Sequence, residues 1–133
     1  MKLDGRIAVV SGAFRGIGKA SAEILATEGA HVIALDIIDG EPVYASPRIA
    51  YRRFDVASPQ MWDDLAKELE RIDILVNSAG ITQTRSGLTD LDLSEWNRII
   101  VVAVLLLAAL LVLALALAAR TQTPKRSPIA VAL

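Results

Sequence analysis

No cysteine occurs in the 133 residues. That excludes a disulfide framework, a thiolate metal site and a cysteine nucleophile. Histidine occurs once, at His31, so there is little from which to build a transition-metal site, and a surface histidine at a strand start is the expected reading. The formal net charge is −1 and no basic face stands out, so nucleic acid is not an expected partner. The N-terminus, "MKLDGRIAVV", carries Asp4 and Arg6 and has no long apolar stretch before Gly12. It does not read as a signal peptide, and a cytoplasmic compartment is expected. By length, residues 1–133 are expected to form one domain able to bury a core.

What is present is unevenly spread. All 15 acidic residues and 11 of the 14 basic ones lie in residues 1–98, which carry −4, while residues 99–133 carry only Arg120, Lys125 and Arg126. The chain is two compositions joined near Arg98. Residues 99–119, "IIVVAVLLLAALLVLALALAA", contain no charge, hydroxyl, glycine or proline, and 15 of the 21 are Leu or Ala. By length and hydropathy this is a membrane-span candidate.

Strand-like and helix-like stretches alternate from the start. "RIAVVSG" is a short β-branched run ended by Gly12 and reads as a buried strand. Ile17, Ala20, Ile24 and Leu25 then recur at helical spacing, and Gly29 stands as a helix stop. "HVIALD" is a second buried strand and "RIAYRRFDV" a third. Ser58-Pro59 is a helix start, with Met61, Leu65 and Leu69 as its apolar stripe through about Glu70. "IDILVNSAG" is a fourth strand. After the loop "ITQTRSGLTDLDL", Ser94 is the expected N-cap of a long helix through residue 119. A loop, "TQTPKRSP", leads to a fifth strand, "IAVAL". The alternation argues for an α/β domain: a Rossmann-like doubly wound parallel sheet of five strands in order 3-2-1-4-5.

The first strand runs into Ser11-Gly12-Ala13-Phe14-Arg15-Gly16-Ile17-Gly18 and then a helix. Glycines there let the backbone turn sharply and let a pyrophosphate approach without meeting a Cβ, while the helix N-terminus offers free N–H groups. Asp36 ends the second strand, 18 residues after Gly18, where a carboxylate can accept from ribose hydroxyls and repel a 2′-phosphate. A dinucleotide is the ligand class these residues point to.

The motifs "SGAFRGIG", Asp36, Asp55-Val56, "NSAG" at Asn77–Gly80 and "LSEWNRI" at 93–99, in that order, resemble the short-chain dehydrogenases/reductases over residues 1–98. Ser11 and Ser78 stand where the family usually has Thr and Asn. The resemblance implies NAD-dependent oxidoreduction, with Asp55 and Val56 meeting the adenine and Asn77, Ala79 and Gly80 lining the ribose side. Together with Ser11, Gly12, Phe14, Arg15, Gly16, Ile17, Gly18 and Asp36 these are the candidate cofactor-binding residues. Arg15 resembles the basic residue that favours NADP; Asp36 argues for NAD by direct repulsion of a phosphate, and NAD is the cofactor expected here.

The resemblance also implies four catalytic roles: Asn, Ser, Tyr and Lys. Counted from Trp96, the asparagine position falls on Ala103, which has no hydrogen-bonding side chain. The serine would follow the fifth strand, and the Tyr-x-x-x-Lys pair later still. Tyr44 and Tyr51 have Arg48 and Asp55 four residues on, not lysine. No catalytic residue is expected within these 133 residues, which read as a truncated cofactor-binding half that binds NAD without transferring hydride by itself.

The apolar stretch occupies the slot of the family's fourth helix without insertion. If it crossed a bilayer, the fifth strand could not join the sheet. A helix 94–119 that is apolar all round suggests burial on both sides and self-association into a homo-oligomer. Two further readings stay open: a non-enzymatic scaffold using this helix, or a membrane anchor. An altered or designed segment, chosen for helix propensity, is a third.

Overall fold

The computed structural model describes residues 1–81, 92–120 and 129–132. The expected loops over 82–91 and 121–128 lie outside that set. Five strands form one parallel sheet: β1 (Ile7–Ser11), β2 (His31–Asp36), β3 (Ile49–Arg53), β4 (Ile74–Asn77) and β5 (Ile129–Ala132). Their order is β3-β2-β1-β4-β5, as the sequence pattern predicts. β1 lies at the centre, Ala8 to Ser11 all buried, pairing with β2 on one side and β4 on the other. A strand covered on both faces needs an unbroken apolar run rather than an alternating one.

The two faces carry separate cores. Ala8, Val10, Val32, Ala34, Ile74 and Val76 point to one side with Ala22 and Ala26 of α1 (Gly16–Thr27). Val9, Ile33, Leu35 and Leu75 point to the other with Phe54, Ile72 and Leu65 of α2 (Pro59–Glu68). Ser58 caps α2 as expected, its Oγ accepting from the Met61 N–H; the helix ends at Glu68, two residues before the expected stop.

α1 corrects the sequence reading. Its buried face is Gly18, Ala22 and Ala26, while Ile17 and Ile24 are 68% and 64% exposed. Small residues at i, i+4 and i+8 let the helix backbone approach the sheet, and the isoleucines are turned outward by that choice of face. Leu25 alone of the large expected residues packs at the core edge.

α3 (Leu93–Arg120) runs 28 residues. Its cap is also a correction: Asp92, not Ser94, stands before the first turn and accepts from the Ser94 N–H and Oγ. Those bonds hold the Asp92 carboxyl below its ordinary range. Val102 is buried, while Ile100, Val104, Leu107 and Leu111 are exposed. Among the described residues no helix is long and apolar enough to cross a membrane. The apolar run of residues 99–119 lies along α3, and here β5 decides. β5 follows α3 and pairs in parallel with β4, which a helix crossing a bilayer would prevent.

One polar tie fixes the entry to the sheet. Asp73 accepts from the Ile7 N–H at 2.9 Å and pairs with Arg6 at 2.6 Å and Arg71 at 3.2 Å. Partial burial pushes the Asp73 carboxyl up, but the Ile7 and Arg6 hydrogen bonds and both guanidinium charges outweigh it, so the net shift is downward. A depressed folded value means this contribution is complete above the unfolded value near 3.8 and is lost as pH falls through the folded one. Asp73→Asn is expected to cost about 1–3 kcal/mol at pH 7 and to shrink the difference in urea midpoint between pH 7 and pH 3.

Candidate functional site

Between β1 and α1 the chain turns sharply, and three glycines serve the turn in three ways. Gly12 has φ +67°, and a Cβ there would lie 2.7 Å from the Ala79 nitrogen; the extension of β4 runs directly against the turn. A Cβ on Gly18 would lie 2.1 Å from the Gly12 carbonyl oxygen, so this glycine lets α1 close onto β1. Gly16 has φ +61° and nothing within 4 Å of where its Cβ would be. Two glycines close the structure and the third leaves a space open. Beside that space the N-terminus of α1 has no side-chain cap bond and no acid in its first turn. Its leading N–H groups are left for an anion.

The middle of the turn is tied away from this space. The Ala13 N–H donates to the Leu35 carbonyl at 3.1 Å, and the Phe14 N–H to Asp36 Oδ2 at 3.0 Å. The Phe14 ring stands edge-on to Tyr51, centroids 5.6 Å apart. Asp36 also accepts from the Ile38 N–H. Each carboxylate oxygen keeps a lone pair for a further donor, so the carboxylate is oriented without being used up. Behind the turn, the Tyr44 hydroxyl donates to the Ala13 carbonyl at 2.8 Å. Burial first, then the neighbouring Tyr51, Asp36 and Glu23, pushes Tyr44 up to about 12.

The opposite side is held by Ser11, which is 1% exposed. Its Oγ donates to Asn77 Oδ1 at 2.9 Å and accepts from the Ala79 N–H at 3.3 Å, locking the ends of β1 and β4 together. Below, the Trp62 indole donates to the Val56 carbonyl at 2.9 Å and meets Phe54 edge-on at 4.8 Å, while Asp55 accepts from the Ala57 N–H. Trp62 braces the Asp55–Ala57 turn from behind.

These parts enclose a cleft of about 520 Å³ at the carboxyl ends of β1, β2 and β4, within the usual range for a small-molecule site. Of the residues expected from sequence, Gly12, Arg15, Ile17 and Asp36 line one wall, and Asp55, Val56, Ala79 and Gly80 the other. Ser11, Phe14, Gly16, Gly18 and Asn77 are not among the lining residues. Ser11, Asn77 and Gly18 act by holding the backbone, Phe14 faces Tyr51, and Gly16 is open. Sequence reasoning missed the two isoleucines after Asp36, and Ile81, Arg98, Val101 and Val102, which close the far end. The i, i+3, i+4 spacing of the last three was a legible signal, since it puts them on one face of α3. Among the described residues neither Arg15 nor Arg98 has an ion-pair partner. The cleft thus joins two cations, an uncapped helix N-terminus and a fixed carboxylate, suited to a ligand with an anionic middle and a hydroxyl-bearing end.

The family model for short chain dehydrogenases matches residues 6–123. The chain is 41% identical over 107 residues to D-threitol dehydrogenase of Mycolicibacterium smegmatis, covering 72% of this chain and 41% of that protein. It is 39% identical over 99 residues to dehydrogenase/reductase SDR family member 6 of Danio rerio, covering 72% and 40%. The ligand-free aldohexose dehydrogenase of Thermoplasma acidophilum superposes with a TM-score of 0.76 at 32% identity, over 98% of this chain and 49% of that one. The chain spans about two-fifths of the length of the curated relatives it matches.

Proposed function

This chain belongs to the short-chain dehydrogenase family, and on that premise we propose that it binds NAD(H) in the cleft between Gly12–Gly18 and Ala79–Gly80. The observation that carries the reading is the open space at Gly16 beside an uncapped α1 N-terminus, with Asp36 held by the Phe14 N–H at 3.0 Å. The pyrophosphate would rest on the first N–H groups of α1, with Arg15 beside it. Asp36 would accept from the adenosine ribose hydroxyls and oppose a 2′-phosphate. Val56 and the Asp55 backbone would border the adenine.

When bound, the nicotinamide supplies a hydride acceptor or donor. The residues of this chain bind and orient it. Transfer by the chain unaided is not part of the proposal, because Ala103 occupies the place where the resemblance implies a proton-relaying asparagine. An alcohol or carbonyl compound is the substrate class that family membership supports. Self-association through α3 belongs to the same proposal, supported by the exposure of Ile100, Val104, Leu107 and Leu111.

NADH and NADPH fluorescence titrations, on protein whose oligomeric state is fixed by sedimentation, test the reading. NADH is expected to bind at least tenfold more tightly than NADPH, a difference of about 1.4 kcal/mol. Folded protein with no NADH affinity would reject it, and concentration-dependent oligomers without NADH affinity would favour the scaffold alternative.

A further inference from the structure

Every polar backbone atom that fixes the middle of the glycine turn is anchored to β2 or to the segment after it. The Ala13 N–H goes to Leu35, the Phe14 N–H to Asp36, and the Ala13 carbonyl to the hydroxyl of Tyr44. The first two belong to the strand end and form with the sheet. The third does not: Tyr44 comes from residues 37–48, between β2 and β3, and reaches back across 31 positions to a carbonyl inside the turn. That segment leans over the turn elsewhere too. A Cβ on Gly40 would lie 3.9 Å from the Phe14 ring, and the Tyr51 hydroxyl donates to the Ile38 carbonyl. Lys19, on the first turn of α1, places its ammonium 5.9 Å from the centre of the Tyr44 ring.

We propose that Tyr44 is a positioning residue for the phosphate-binding half of the cleft, its hydroxyl setting the tilt of the Ala13–Phe14 peptides and thereby the direction of the Gly16 and Ile17 N–H groups. The inference rests on the dinucleotide reading above and adds to it a residue outside the cleft. Rotating the Ala13 carbonyl away from its acceptor geometry swings the following peptides, since consecutive planar units share only two soft torsions each. The N–H groups that would meet a phosphate lie two to three residues downstream. Tyr44 suits the role because its hydroxyl, pushed up to about 12, keeps its proton as a donor at neutral pH. The ring is half-buried and its far side carries Lys19, so the hydroxyl has a fixed base to pivot on.

A general loosening of the fold would weaken all ligands alike. A tilted phosphate seat would weaken only those that bear phosphate, and that difference is the test. Wild-type protein and Y44F are titrated with NADH, ADP and adenosine, and thermal midpoints are recorded. Y44F is expected to weaken ADP and NADH about five- to tenfold, the worth of one positioned hydrogen bond, while adenosine changes less than about twofold. Hydrogen exchange of the ligand-free protein is expected to speed up in the peptide over residues 12–18 and to stay unchanged in β4. Equal weakening of ADP and adenosine, or unchanged ADP affinity in Y44F with wild-type binding intact, overturns the inference alone. Wild-type protein that binds neither ADP nor NADH overturns the cofactor reading and this inference with it.

Discussion

Gly18→Ala is expected to abolish measurable NADH binding and to destabilise the fold by about 3 kcal/mol, whereas Gly16→Ala, two residues away, should leave the protein folded and still weaken NADH tenfold or more. The contrast follows from what a single methyl group meets. At Gly18 it would sit 2.1 Å from the backbone oxygen of Gly12. No rotamer relieves a clash with backbone, so α1 must move off β1 or the turn must open, a cost at the upper end of overpacking. At Gly16 there is no clash. The loss there is the strain of a left-handed residue carrying a Cβ, about 1–2 kcal/mol, and under the proposed function the methyl group would stand where the phosphates pass. Urea denaturation and NADH titration on both variants separate the two effects. Wild-type affinity in Gly16→Ala would mean that no phosphate passes over this residue.

Asp36 is the second position of large effect, because the proposed function gives it a job beside the one it has in the turn, and two substitutions split them. Asp36→Ala removes the acceptor of the Phe14 N–H and leaves that half-buried donor unmatched, at a cost of about 1–3 kcal/mol of stability. Asp36→Asn keeps one oxygen for that N–H and removes the charge together with the acceptor of the longer, 3.4 Å bond from the Ile38 N–H. Stability should therefore change little in the asparagine variant, while the ratio of NADH to NADPH affinity should fall about a hundredfold: the ribose loses an acceptor and the 2′-phosphate loses its repulsion. Paired titrations with the two dinucleotides check this. An unchanged ratio in a stable Asp36→Asn protein would show that the carboxylate serves the turn alone.

What could be read from the residues depended on how far their reasons reach along the chain. β1, β2 and β4 were legible because strands buried on both faces must be apolar throughout, and "IAVV", "VIAL" and "ILV" have few other readings. The inner face of α1 was not. Periodicity arguments reward large side chains, and they selected Ile17 and Ile24; the sheet instead accepts Gly18, Ala22 and Ala26, because closeness matters more there than volume. Asp92 was passed over as a cap for the same kind of reason, since Ser94 is an equally good N-cap type and only the geometry separates them. In the cleft, the residues contiguous with the glycine turn and Asp36 were recognisable from local chemistry. Tyr44, Tyr51 and Trp62 act on backbone atoms of other segments, and Arg98, Val101 and Val102 arrive from α3. The spacing on α3 marks the last three, but nothing local marks Tyr44 or Tyr51, because their backbone partners are set by where β2 and β3 lie beside the glycine turn.

The central position of β1 has a consequence for the order in which this molecule assembles. Its pairing with β2 joins residues 24 apart, from Ile7 to His31; its pairing with β4 joins Ser11 to Asn77, 66 apart. Loop-closure entropy makes the second seam about 1 kcal/mol harder to zip than the first. The cleft straddles that seam, with Gly12 on one lip and Ala79 on the other. A molecule lying across it would act as a clasp on the reluctant join, and its occupancy would be felt as resistance of the whole sheet to parting between β1 and β4.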